Sequence, residues 1–157
     1  MSDWLQEGDR VPAFTLTGDK GIKVKLADLK GSPVVLYFYP ADDTPGCTRE
    51  ACAFRDRSAE LKKLGAKVFG VSPDAQASHQ AFREKFELPF PLLVDEGHQV
   101  ADAYGVWGEQ RNVRSHFVID ETGTLADVQV QVSPEDSVQR AVQAVGMKSP
   151  RTDASRG

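Results

Sequence analysis

From residue 33 onward the chain alternates continuous apolar runs with apolar stripes at helical spacing. Val34-Val35-Leu36-Tyr37-Phe38-Tyr39 is unbroken, β-branched and aromatic, and is stopped by Pro40. Such a run predicts a strand buried on both faces. Cys47, Ala51, Phe54, Ser58, Leu61 and Leu64 then recur at steps of three and four, which predicts one helix ended by Gly65. Lys67–Val71 predicts the next strand, and Ser72-Pro73 supplies a cap and first-turn proline for a helix carrying Ala81, Phe82 and Phe86. Pro91–Val94 reads as a strand and Gln99–Tyr104 as a short helix. His116–Ile119 and Leu125–Val132, joined by Asp120-Glu121-Thr122-Gly123, read as a hairpin. Ser133-Pro134-Glu135-Asp136 opens a last helix with Val138, Ala141, Val142 and Val145 on one face. Near the start, Phe14–Thr17 and Ile22–Leu26 flank a Gly-Asp-Lys-Gly turn and predict an N-terminal β-hairpin.

Helices between strands imply an α/β fold. A central mixed sheet is expected, mostly parallel within, covered by helices on both sides, with antiparallel strands at its edges. A length of 157 residues suits a single domain, placed at 1–147. Residues 148–157 have no apolar periodicity and predict a flexible C-terminal tail.

Composition narrows the function. With 40% hydrophobic residues, 27% charged residues and a net charge of −4, nothing points to nucleic acid or an anionic membrane as partner. No run approaches the ~20 apolar residues that span a bilayer. The first ten residues lack the basic and apolar blocks of a signal peptide, so a cytoplasmic location is expected. Two cysteines are too few for a secreted disulfide scaffold. His79, His98 and His116 show no metal-ligand spacing, and no phosphate-binding glycine loop is present. No metal and no cofactor are therefore expected. Asp42-Asp43, just before a helix, suggest turn and dipole roles.

The informative stretch is Pro40-Ala41-Asp42-Asp43-Thr44-Pro45-Gly46-Cys47-Thr48-Arg49-Glu50-Ala51-Cys52. It joins the carboxyl end of the central strand to a helix, where open α/β sheets place their sites. Thr44 as N-cap and Pro45 as first helical residue put Cys47 in the first turn, where free N–H groups and the dipole favour an anion. A thiolate is the nucleophilic form of a thiol; the bland alternative is a small hydrophobe on the buried stripe. Cys52 is either its redox partner or a spectator. Five residues on an ideal helix advance about 7.5 Å and turn about 140° beyond a full revolution, leaving the two Cα atoms roughly 8.7 Å apart. A disulfide needs about 4.4–6.8 Å. A redox couple at these positions must unwind at least a turn of helix.

Pro40-x-x-x-Thr44-x-x-Cys47 resembles the active-site motif of the peroxiredoxins, and Asp43-Thr44-Pro45-Gly46-Cys47-Thr48-x-Glu50-Ala51-Cys52-x-Phe54-Arg55-Asp56 is similar to the peroxiredoxin Q subfamily. The likeness runs from about residue 7 to 146. It includes Val71-Ser72-Pro73-Asp74, Gly105-Val106-Trp107-Gly108 and Arg114-Ser115-x-Phe117-Val118-Ile119-Asp120. Between Trp107 and Arg114 only Gly108–Val113 intervene, where the family has a longer loop.

The resemblance implies a thioredoxin-like fold and a thiol peroxidase that reduces hydroperoxides, recycled by thioredoxin or a similar dithiol, here expected as a monomer. It implies that Cys47 is the peroxidatic cysteine, Cys52 the resolving one, and that Pro40, Thr44 and Arg114 shape and charge the pocket. Glu50 either orients hydrogen bonds there or decorates an exposed turn. An ordinary thiol with pKa about 8.5 is roughly 3% thiolate at pH 7, so full ionisation gains about 30-fold at most. Donors that polarise the O–O bond must supply the rest, and Arg114 and Thr44 are the candidates. Two alternatives remain open: a one-cysteine peroxidase using Cys47 alone, and a redox-regulated binding or chaperone module.

Overall fold

A computed structural model describes residues 5–148. An antiparallel hairpin, β1 (Thr15–Gly18) and β2 (Lys23–Lys25), opens the chain. Its turn closes with the Gly21 amide donating to the Gly18 carbonyl (3.0 Å), and Gly21 takes φ +80°, a conformation that L side chains rarely adopt. A 3-10 turn, Leu26–Leu29, leads to β3 (Val34–Phe38), buried along its whole length. Then follow α1 (Pro45–Asp56), α2 (Ser58–Lys63), β4 (Lys67–Ser72), α3 (Gln76–Phe86), β5 (Leu92–Val94) and α4 (Gln99–Ala103). The antiparallel pair β6 (Ser115–Ile119) and β7 (Leu125–Val130) and the last helix, α5 (Pro134–Lys148), complete the chain.

The seven strands form one sheet in the order β2-β1-β5-β4-β3-β6-β7. Only β3–β4 and β4–β5 are parallel. Both hairpins join antiparallel, β1 along β5 and β6 along β3, so the sheet is mixed as expected, with its parallel part confined to β3, β4 and β5 and smaller than the strand-helix alternation suggested. This is a thioredoxin-like arrangement. Because side chains alternate along a strand, Val35, Tyr37 and Tyr39 point into one core with α1, α2, α5 and Phe82 of α3. Val34, Leu36 and Phe38 point into the other, with Val100, Ala101, Tyr104 and Phe117.

Most strand ends shift by one or two residues, and three larger differences involve the helices. The stripe from Cys47 to Leu64 holds, but two helices carry it. At Arg57 (φ −102°, ψ 9°) the amide is shared between the carbonyls of Ala53 and Phe54, and the helix breaks there. Ser72 does not cap α3; its hydroxyl donates to Asp74 Oδ2, and α3 begins at Gln76. The buried positions on α3 are consequently His79 and Phe82, while Ala81 is exposed. At the other end α5 continues through Met147 to Lys148, and the rest of the expected tail lies outside the described residues. Among the described residues no helix is long and apolar enough to cross a membrane.

Candidate active site

β3 delivers the site. Tyr39 still donates its amide to the Val71 carbonyl (3.0 Å), and the chain leaves the sheet at Pro40, which has no amide to continue the ladder. Thr44, in extended conformation, precedes α1 with Pro45 in the first turn, as expected, and the Thr48 amide donates to the Thr44 carbonyl (2.8 Å). The Thr44 hydroxyl, however, does not cap the helix. It donates to the Ala41 carbonyl (2.9 Å), so its oxygen is left as an acceptor rather than the donor that the sequence suggested. Cys47, third residue of α1, is 1% exposed. Cys52 lies half-buried on the same unbroken helix, and both thiols are free.

Arg114 reaches this helix from the first residue before β6. The antiparallel pairing of Ser115 with Phe38 sets that strand end beside the end of β3, and the Val132 amide donates to the Arg114 carbonyl (3.0 Å). From there Nη1 donates to Glu50 Oε1 (2.7 Å) and Nη2 to Cys47 Sγ (3.5 Å). Gly46 makes room for the guanidinium: a Cβ there would lie 2.9 Å from Arg114 Nη2. Burial works against the Arg114 charge, but the Glu50 and Cys47 side chains outweigh it and raise the pKa, so the cation is secure.

Glu50 settles the choice left open by the sequence. It is fully buried, three residues after Cys47, and grips Arg114 rather than facing solvent. Burial raises its pKa to about 7, against the lowering influence of the Arg114 charge and the Ser137 hydroxyl. Among the described residues its Oε2 has no hydrogen-bond partner of regular geometry. At neutral pH this carboxyl therefore divides between charged and neutral forms beside the sulfur.

A second group of residues was not legible as part of the site. Asp42, expected only to shape a turn, has a side chain just 4% exposed. Its Oδ1 accepts the Tyr39 hydroxyl (2.6 Å), and its Oδ2 faces the Ser78 hydroxyl and His79 Nδ1, each at 2.7 Å. His79, which the sequence offered only as a histidine without metal-ligand spacing, stands on α3 and meets the active loop at Asp42. The signal in the sequence is its phase, since 79, 82 and 86 share one face of α3. Asp74 accepts the Asp42 amide (2.7 Å). Asp42, Asp74 and His79 bring three ligand-type atoms within 4.8 Å of one another. His79 Nδ1 meets Asp42 and Nε2 meets the Leu93 carbonyl (2.8 Å), so neither ring nitrogen offers a free lone pair to an ion. Asp43 takes φ +58°, in keeping with a turn role, and accepts Lys85 Nζ (2.8 Å).

Comparison with known proteins agrees with this arrangement. The AhpC/TSA family matches residues 7–128. Peroxiredoxin Bcp of Bacillus subtilis (strain 168) is 45% identical over 149 residues, covering 90% of this chain and 95% of that protein. The crystal structure of peroxidoxin BcpB from Mycobacterium tuberculosis superposes with a TM-score of 0.87 at 34% identity, over 91% of this chain and 97% of that one. The bacterioferritin comigratory protein of Xanthomonas campestris, studied as trapped intermediate and ligand complexes, gives 0.85 at 28% identity, over 90% and 99%. With a strand-to-helix cysteine, an arginine at its sulfur and this extent of likeness, the chain belongs to the AhpC/TSA family, alongside the Bcp and peroxiredoxin Q proteins.

Proposed function

We propose that the protein is a peroxidase that reduces hydroperoxides through Cys47, with Cys52 as the resolving thiol. The observation that carries this reading is the Arg114 guanidinium, 3.5 Å from Cys47 Sγ and held by buried Glu50. A cation fixed at the sulfur stands where negative charge develops as the O–O bond breaks. The thiolate attacks the terminal oxygen of ROOH, an S–O bond forms, and RO⁻ leaves to be protonated to ROH. Cys47 is then a sulfenic acid. The Thr44 oxygen, free to accept, orients the hydroperoxide O–H, and Pro40 walls the pocket. The related Xanthomonas campestris protein is described as having alkyl peroxide reduction activity, which favours organic hydroperoxides as well as hydrogen peroxide here.

Cys52 then attacks the Cys47 sulfenic acid, forming the S–S bond and releasing water. Both residues lie within α1, so the roughly 8.7 Å between helical Cα positions five apart must shrink to about 6 Å. We infer that α1 loses at least a turn at this step. An external dithiol such as thioredoxin returns the disulfide to two thiols and is itself oxidised. The protein is taken to act as a monomer.

Steady consumption of cumene hydroperoxide or H2O2 with a thioredoxin system tests the reading. Cys47→Ser should abolish it. Cys52→Ser should leave the first oxidation of Cys47 intact while turnover with thioredoxin collapses. Undiminished turnover in Cys52→Ser would assign the chemistry to Cys47 alone. Loss of peroxide that stops after one equivalent in the parent would point instead to a redox-regulated binding module.

A further inference from the structure

Asp42, Asp74 and His79, none of them given a role in the pocket by the sequence, hold the loop that carries Pro40 and Thr44. His79 is 0% exposed, and each of its ring nitrogens faces an acceptor: Asp42 Oδ2 at 2.7 Å and the Leu93 carbonyl at 2.8 Å. A carbonyl cannot donate, so Nε2 must carry a proton. Asp42 accepts the Tyr39 hydroxyl on one oxygen and the Ser78 hydroxyl on the other, the pattern of a carboxylate acting as acceptor only. Nδ1 must then carry a proton as well. With Asp42 as the acceptor, only the imidazolium satisfies both bonds.

We propose that His79 is a positioning residue, held as a buried imidazolium, whose pairing with Asp42 keeps the Pro40–Thr44 loop in place over Cys47. The inference rests on the peroxidase reading above and adds to it a residue on α3 that touches neither sulfur nor substrate. The pairing ties the loop after β3 to α3 and to β5 at once. A second tie between the same segments, Lys85 to Asp43, is about half exposed on both sides and contributes little. The Ser78 hydroxyl also reaches Asp42 Oδ2 (2.7 Å), so the ties that hold the loop converge on Asp42, and His79 supplies the charged one. Breaking one partner of a buried pair leaves an uncompensated buried charge, a far larger penalty than loss of a surface bridge.

The groups facing His79 among the described residues set its pH response. They are Asp42 and Asp74 from the loops after β3 and β4, Tyr39 at the end of β3, Ser78 of α3 itself, and the Leu93 carbonyl of β5. Burial on its own would lower the His79 pKa, but the Asp42 hydrogen bond and charge, the Leu93 carbonyl and Asp74 raise it above 6.5. With a raised folded value, the clamp is complete below the ordinary histidine pKa and is lost as pH climbs through the folded one.

The test combines a spectroscopic and a kinetic readout on the reduced full-length protein. Nitrogen-15 NMR should show both His79 ring nitrogens protonated at pH 7. The second-order constant for oxidation of Cys47 by H2O2 should fall on the alkaline side with the same midpoint as the NMR titration. His79→Gln, which can satisfy only one of the two acceptors, should slow that oxidation roughly ten- to a hundredfold, as expected for a misplaced reactive loop, and should lack the alkaline fall. Asp42→Asn provides a second route to the same loss if His79→Gln folds poorly, and the double variant should lose no more than either single one. A ring with one proton at pH 7 overturns the proposal. So does a folded His79→Gln or Asp42→Asn protein that oxidises Cys47 at the parental rate. A parent that consumes no peroxide, with His79 still doubly protonated, would instead overturn the peroxidase reading.

Discussion

Gly46→Ala separates the two steps assigned to α1. The added Cβ would sit 2.9 Å from Arg114 Nη2, closer than real Cβ atoms approach. The obstacle is the far end of a flexible side chain, so the fold survives and the guanidinium yields. An ordinary contact begins near 3.4 Å and extends to 4 Å, which demands a shift of about 0.5–1 Å. Taken along the Nη2–Sγ line, that shift stretches the 3.5 Å contact to about 4.3 Å. At an effective dielectric near 20, the attraction between the cation and negative charge at the sulfur drops by about 1 kcal/mol. The first oxidation of Cys47 should slow roughly fivefold. Alanine also favours a helix over glycine by up to about 1 kcal/mol, so α1 should resist unwinding and disulfide formation should slow by a similar factor. Stopped-flow oxidation of Cys47, followed by quenched mass spectrometry of the disulfide, times the two steps separately. A variant that melts no lower than the parent yet oxidises at the parental rate would refute the role given to Arg114.

Two further substitutions probe the buried groups around it. Glu50 holds its proton to about pH 7 because burial disfavours the carboxylate, so the folded state binds more protons than the unfolded state between pH 4.5 and 7. Stability should therefore fall across that window by up to about 3 kcal/mol, and Glu50→Gln should remove this contribution. Urea titrations at pH 5 and pH 8 that show the same difference between parent and variant would contradict it. Tyr37 buries its hydroxyl without a hydrogen-bond partner among the described residues, against Gly70 and stacked on Phe54. Tyr37→Phe should be neutral or stabilising by about 1 kcal/mol, raising the melting temperature by roughly 2–4 °C, and a drop of several degrees in calorimetry would show that the hydroxyl is satisfied after all.

Much of the fold could be read from apolar rhythm alone, because β3 is buried on both faces and the stripes on α1 and α5 face a single core. What rhythm does not encode is where a polar side chain finds its partner. Ser72 looked like a helix cap because its spacing was right, but Asp74 claims the hydroxyl and moves the start of α3 to Gln76. The break at Arg57 was hidden because the stripe passes through it. The sequence singled out Cys47, Thr44, Pro40 and, 67 residues after the cysteine, Arg114, whose guanidinium the fold brings to the Cys47 sulfur. Glu50 was ambiguous until its partner, 64 residues away, was in view. His79 was set aside for lack of metal spacing, although its phase with Phe82 marked it as buried. A buried histidine needs acceptors, and the carboxylate that meets it was visible only as a turn residue.

Treating the reduced protein with a slight excess of H2O2, blocking free thiols and mapping peptides by mass spectrometry addresses the central claim most directly. Attack at Cys47 with rescue by Cys52 predicts one intrachain disulfide joining these two residues, formed although the helix that carries them forbids it when intact. A product in which Cys47 remains a sulfenic or sulfinic acid with Cys52 still alkylated, or in which the crosslink joins two chains, would contradict it.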